Sequence, residues 1–113
     1  MLYTDPIVVT GLVSKEDLAT RSSTGYFEFC PPGVNERFIQ EAGFELVLAE
    51  DVTSNEIEVS KRWHDARQRC AAELTRLEGQ ETFDGLQRFL ATVHRLTSER
   101  RLSRFVFLGR KPA

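Results

Sequence analysis

The stretch Phe105-Val106-Phe107-Leu108, near the end of this 113-residue chain, decides the fold. Four apolar residues in succession are too few for a helix, and aromatic and β-branched side chains favour strands. Successive side chains of a strand point to opposite faces, so an uninterrupted apolar run predicts a central strand that is covered on both sides. This stretch therefore indicates the middle of a layered α/β structure.

Two other segments have the composition of strands. Residues 2–9 form an apolar, β-branched run that we expect to be interrupted near Pro6, because proline cannot donate to a ladder. Residues 44–48 alternate with mostly apolar side chains on both sides, which also favours a strand inside a layered structure. Three strands make a small sheet, and its first strand begins at residue 2, as though the chain started within a larger sheet.

Helices are predicted between these strands. Ser14 followed by Asp17 resembles a capping box and opens a short helix over 15–23. A second helix over 34–42 is predicted to stop at Gly43, which can adopt the left-handed conformation that ends many helices.

Thr53 with Glu56 reads as another capping box. It would open one continuous helix of about 24 residues that ends at Gly79. A last helix carries apolar residues at intervals of three and four over 83–96. Alternating strands and helices predict a single α/β unit over residues 1–113 with a tendency to three α/β/α layers.

Composition limits the class of protein. The chain is 41% hydrophobic, which suffices for a core, and no apolar run approaches the roughly 18 residues of a membrane span. The N-terminus lacks the order of a signal peptide, so a cytoplasmic location with reduced cysteines is expected. Residues 1–60 hold 3 basic and 11 acidic groups (−8) and residues 61–113 hold 12 and 6 (+6), without the dominant basic balance of a nucleic-acid module.

At these positions the sequence resembles the C-terminal half of a class I S-adenosylmethionine-dependent methyltransferase of the Rossmann-like, small-molecule type. Leu2-Tyr3-Thr4-Asp5-Pro6 resembles the fifth strand of that family, and residues 41–46 (EAGFEL) resemble its junction between a helix and the sixth strand. Residues 50–53 (EDVT) resemble the exit from that strand, and residues 103–111 (SRFVFLGRK) resemble its seventh strand. The resemblance implies that the seventh strand is antiparallel and inserted between the fifth and the sixth.

The resemblance also shows what this chain lacks. The family binds S-adenosylmethionine through a Gly-rich turn after its first strand and an acidic residue after its second, and none of the seven glycines here forms such a turn. The cofactor-binding N-terminal half is therefore expected to be absent, and the chain alone is expected to bind no cofactor and to be inactive.

The half that is present would supply the acceptor side. The predicted substrate-binding residues lie at the rim of the sheet, in the aromatic loop and on the long helix, and they are Asp5, Thr10, Tyr26, Phe29 and Trp63. Asp5 and His64 are the candidate general bases, although methyl transfer can proceed largely by holding the reactants in place. Each has a structural alternative: Asp5 as a turn residue, the aromatic residues as core, and His64 as a solvated side chain.

No metal site is predicted, because Cys30, His64, Cys70 and His94 lack the spacing of zinc ligands. Two functions remain open. The chain is either the acceptor-side part of a methyltransferase for a small molecule, or a non-catalytic remnant that dimerises. Residues 2–9 would present an unpaired strand edge, which either the missing half or a second copy would cover.

Overall fold

A computed structural model describes all residues, 1–113. It contains three strands and five helices. In chain order they are β1 (Leu2–Val9), α1 (Lys15–Arg21), α2 (Val34–Glu41), β2 (Glu45–Asp51), α3 (Thr53–Arg69), α4 (Ala71–Glu78), α5 (Gln80–Ser98) and β3 (Leu102–Arg110).

The three strands form one sheet in the order β1-β3-β2, and β3 is antiparallel to both neighbours. The apolar run Phe105–Leu108 thus lies in the central strand, and the predicted insertion of an antiparallel last strand is confirmed. The register of β1 against β3 shifts between Asp5 and Val8, which confirms the interruption expected near Pro6.

Helices flank both faces of the sheet, as the predicted fold class requires. Phe105 and Phe107 lie on the face that packs against α2, and the Phe107 ring is 1% exposed. Arg104 points to the other face, where it meets α3 and α5. Val106 and Leu108, also on that face, are only half-buried, so the two faces of the central strand are covered unequally.

The core lies on both faces of the sheet, against α5 on one face and against α2 on the other. Leu96 is fully buried on α5, and Leu102 and Phe107 are buried on β3. The remaining buried apolar residues are Ile7, Val8, Ile39, Phe83, Leu90 and Val93. Helix α5 and strand β3 therefore supply most of the buried apolar residues.

Two predicted helix boundaries are confirmed by their hydrogen bonds and backbone angles. The Ser14 hydroxyl accepts the Asp17 amide at 3.1 Å and caps α1. Gly43, after the end of α2, has φ +88°, the left-handed conformation that favours glycine.

Two predictions about the long helix are wrong. The chain forms two helices, because the path breaks at Cys70 (φ −104°, ψ 22°) between α3 and α4. Thr53 caps nothing, since its hydroxyl instead accepts the amide of Arg104 on β3 at 3.0 Å. The tie to a neighbouring strand takes the hydroxyl that a capping box would need for its own helix.

An apolar row crosses the less covered face of the sheet. Leu2 pairs with Leu108, which pairs with Leu48, so the three residues lie side by side. Leu2 is 69% and Leu48 is 40% exposed. Along the edge of β1, only the end near Val8 is bridged, by Cys30. None of the five helices is long and apolar enough to cross a membrane.

Candidate functional site

A cavity of about 370 Å³ opens between α1, α3, α5 and the aromatic loop after α1. Five of its eight lining residues are apolar. The loop contributes Phe27, α3 contributes Trp63, and α5 contributes Leu86, Phe89 and Leu90. A mostly apolar cavity of this size, with a few polar groups, suits a small organic molecule.

Arg21 at the end of α1 is the buried polar residue of this cavity. It is 5% exposed, and its guanidinium lies 5.2 Å from the centre of the Phe27 ring and 5.1 Å from that of Phe89. Its guanidinium makes no hydrogen bond or ion pair with another residue. Burial lowers the pKa of Arg21, because desolvation disfavours its charged form.

A second recess of about 220 Å³ shares Arg21 and Trp63 with the first and reaches the sheet. There Arg104 of β3 donates from Nε to the Glu56 carboxylate at 2.9 Å. The pair joins the start of α3 to the central strand, and the charges of Glu56 and, more weakly, Asp5 favour the charged form of Arg21.

Arg67 holds the far wall of the cavity in place. Its two terminal nitrogens donate to the Glu78 carboxylate at 2.7 and 3.0 Å, and its Nε donates to Gln87 at 3.0 Å. Hydrogen bonding with Arg67 lowers the pKa of Glu78. Because these donors are occupied, Arg67 fixes α3, α4 and α5 together.

Asp5 and Thr10 lie away from this cavity. The Asp5 carboxylate accepts the Ile7 amide at 3.0 Å and the Asn35 side-chain amide at 2.8 Å, on the α2 side of the sheet. The Thr10 hydroxyl donates to the Arg100 carbonyl at 2.7 Å and lies 2.8 Å from the Ser103 hydroxyl. Both side chains hold elements of the fold together.

Of the three predicted aromatic residues, only Trp63 lines the cavity. Trp63 lines both the cavity between α1, α3 and α5 and the second recess, and it is 58% exposed. Tyr26 is 87% exposed and its hydroxyl donates weakly to Glu28 at 3.4 Å. Phe29 is half-buried outside the cavity, whereas Phe27, two residues earlier in the loop, lines the cavity.

His64 lines a different recess, between α3 and α5. Its Nδ1 lies 3.2 Å from the Asp65 carboxylate, and His94 faces the same recess while donating to the Ile57 carbonyl at 3.0 Å. No group of three or more His, Cys, Asp or Glu residues is placed to hold a metal ion.

Sequence reasoning placed Phe27 in the aromatic loop of the pocket but missed Arg21 and Phe89. The available signal was a basic residue at the end of a short helix, directly before an aromatic loop. It was ambiguous, because a cation at a helix C-terminus is ordinarily explained by the helix dipole. Only the packing of α5 beside α1 shows that Arg21 is buried between two rings.

No protein-family model matches the chain, and no curated protein matches it. Several solved structures do match the chain. A phosphoethanolamine N-methyltransferase 2 from Haemonchus contortus superposes with a TM-score of 0.84 over 99% of this chain, at 17% identity. The chain has the fold of the S-adenosylmethionine-dependent methyltransferases.

Two other solved structures have the same fold. A mycolic acid cyclopropane synthase superposes with a TM-score of 0.84 at 14% identity. A protein from Galdieria sulphuraria that is described as a sarcosine dimethylglycine methyltransferase superposes with a TM-score of 0.82 at 14% identity. Each match covers 98% of this chain. The Haemonchus enzyme and the synthase were solved with S-adenosylhomocysteine.

The chain spans less than half of each of these proteins. It covers 26% of the Haemonchus enzyme, 44% of the synthase and 41% of the Galdieria protein. The resemblance of the sequence to this class of fold is therefore confirmed for a part of the methyltransferase domain.

The polar groups at the ends of β1 and β2 are already paired within the chain. After β1, the amides of Thr10 and Gly11 both donate to the Arg101 carbonyl, at 3.0 and 3.1 Å. After β2, Asp51 accepts the Thr53 amide at 2.8 Å. A nucleoside cofactor needs unoccupied backbone donors and a sugar-binding carboxylate at such places, and here those groups bind other residues.

Proposed function

We propose that this chain forms the acceptor-binding side of an S-adenosylmethionine-dependent methyltransferase that acts on a small molecule. The observation that carries the proposal is the superposition of 98–99% of the chain on methyltransferases at TM-scores of 0.82–0.84. The cavity between α1, α3 and α5 would receive the acceptor, and the cofactor would be bound by a segment or chain outside residues 1–113.

In this proposal the acceptor meets Phe27, Trp63 and Arg21, which line one cavity. Catalysis would come from placing the acceptor atom in line with the methyl group and excluding water. Asp5 and His64 do not line this cavity, so either could act as a general base only for an acceptor bound elsewhere on the chain. The Asp5 carboxylate already accepts two hydrogen bonds, so we propose for it mainly the role of joining β1 to α2.

The open edge of β1 and the apolar row of Leu2, Leu108 and Leu48 suggest where the cofactor-binding part would dock. The row begins at Leu2 on the open edge strand and crosses the sheet to Leu48 on β2, and the matched proteins are more than twice as long as this chain. A neighbouring strand would pair with the free part of β1, and a helix would cover the leucines.

The test begins with the DNA next to the coding region, where an in-frame or adjacent segment encoding a strand and a Gly-rich turn is expected. Co-expression of that segment with this chain should give a complex that binds S-adenosylmethionine in calorimetry, whereas the 113-residue chain should give no heat. Micromolar binding by the chain alone would contradict the division into two parts. A complex that never binds the cofactor would contradict the methyltransferase proposal.

The second candidate function is a non-catalytic remnant that dimerises through β1, and the exposure of Leu2 on an open strand edge favours it. Sedimentation should then show a dimer that a Leu2→Lys substitution converts to a monomer. Lys15→Leu, at an exposed position on α1, is a control that should leave the dimer intact. A strict monomer at all concentrations would exclude this candidate.

A further inference from the structure

We propose that the cavity between α1, α3 and α5 binds the anionic group of a small organic ligand, a carboxylate or a phosphate, and that Arg21 receives it. The inference deepens the proposed function by giving the acceptor a negative charge. It rests on the proposed function only in taking the ligand to be the methyl acceptor, because the binding site itself lies wholly within this chain.

Arg21 is a buried cation whose donors have no partner in the protein. A guanidinium has five N–H donors, and burying it without an acceptor costs free energy that folded proteins normally recover by pairing. Arg21 is 5% exposed and its guanidinium makes no hydrogen bond or ion pair within the protein, while none of its nitrogens is fully sealed from solvent. Since it lines both the main cavity and the adjoining recess, an anion entering there would find unused donors.

The charged side chains around the cavity leave Arg21 available to an anion. Three arginines line the two recesses, and two of them are already neutralised, Arg67 by Glu78 and Arg104 by Glu56. Arg21 forms no ion pair, and Glu56 and Asp5 compensate its charge only from a distance, so its guanidinium can still pair with an anion. In a partly desolvated cavity this charge attracts an anion more strongly than an exposed arginine would.

The aromatic side chains that line the cavity hold Arg21 in place. Phe27 and Phe89 hold the Arg21 guanidinium between their rings, which restricts its motion before a ligand arrives. The rest of the lining is mostly apolar, with Trp63 at the exposed side. The ligand that fits has an anionic group near Arg21 and an apolar portion against the rings. A purely structural stacking of Arg21 would need neither the cavity nor the free donors.

The probes are benzoate, phenyl phosphate, benzyl alcohol and inorganic phosphate, each titrated into the 113-residue chain and followed by NMR at the Arg21 and Trp63 side-chain N–H groups. Benzoate or phenyl phosphate should bind at least about tenfold more tightly than benzyl alcohol, as expected for a charge-assisted hydrogen bond. Preference between these two probes identifies the group as a carboxylate or a phosphate. Inorganic phosphate should bind more weakly than phenyl phosphate.

Arg21→Met should reduce the affinity for the anionic probes to that for benzyl alcohol, while the control Arg62→Met, on the exposed surface of α3, should change nothing. If Arg21→Met does not fold, the comparison of charged and neutral probes on the unchanged chain still decides. Equal binding of benzyl alcohol and benzoate, shifts that spare Arg21, or no binding of any probe would overturn the proposal. Those outcomes would leave a methyltransferase with a neutral acceptor intact, because no probe requires the cofactor.

Discussion

The tie between Thr53 and β3 can be tested by replacing a single atom group. Thr53 is fully buried, and its hydroxyl accepts the Arg104 amide at 3.0 Å. Thr53→Val keeps the shape of the side chain but exchanges that hydroxyl for a methyl group. The Arg104 amide is then left without its acceptor, in a place that water reaches poorly.

Leaving a buried amide unpaired costs about 1–3 kcal/mol. For 113 residues the entropy of unfolding at the midpoint is about 240 cal/mol/K, so a loss of about 2 kcal/mol lowers Tm by roughly 8 °C. Thr53→Ser retains the acceptor and loses one buried methyl group, which costs about 1 kcal/mol.

Thermal unfolding followed by circular dichroism gives the size of the effect, and amide hydrogen exchange gives its place. The Arg104 amide should lose protection in Thr53→Val and keep it in Thr53→Ser. Thr82→Val, at an exposed position of α5, is the matched control and should leave Tm within about 2 °C. If Thr53→Val melts with the wild type, or if the Glu56 amide loses protection in place of that of Arg104, Thr53 is a helix cap after all.

Three further predictions concern stability. Gly43→Ala should lower the free energy of unfolding by about 1–2 kcal/mol, because φ is +88° there, as urea denaturation can measure. Gly85→Ala, in the middle of α5 with open space around it, should raise that free energy by about 0.5–1 kcal/mol, and equal effects of the two substitutions would contradict both assignments. Hydrogen bonding with Arg95 lowers the pKa of Asp17, so its ionised form stabilises the folded state above the unfolded pKa near 4, and this contribution is lost as the pH falls through the lowered pKa. Asp17→Asn should therefore be less stable than the wild type at pH 7, and the difference should narrow as the pH falls below about 4; a difference that stays constant into the acid range would refute this assignment.

The opposite charges of the two halves of the chain become contacts in the structure. Acidic residues of the first half pair with basic residues of the second at several places around the sheet and α1. These pairs are Asp17 with Arg95, Glu45 with Arg110, Asp51 with Arg100, and Glu56 with Arg104. The sequence predicts that the halves attract each other, but only the fold selects which charges meet.

The site was less predictable than the fold. Trp63 was found because it stands out on a helix, yet the apolar stripe could not show whether it faces a core or a cavity. Phe29 and Phe27 are two residues apart in a loop without periodicity, so the sequence could not choose the one that lines the cavity. Asp5 looked available because the amide of Asn35, 30 residues away, is invisible in the sequence.

The sequence by itself determined the strands, the class of fold and most helix boundaries, because hydrophobic period, Ser14 and Gly43 act through neighbouring residues. Tertiary structure alone decided what Thr53 and Arg21 do. Each is a polar side chain whose role depends on a residue far along the chain, the Arg104 amide for Thr53 and the Phe89 ring for Arg21. Burial turns an ordinary threonine into a tie between helix and sheet, and turns an ordinary arginine at a helix end into a cation without a partner.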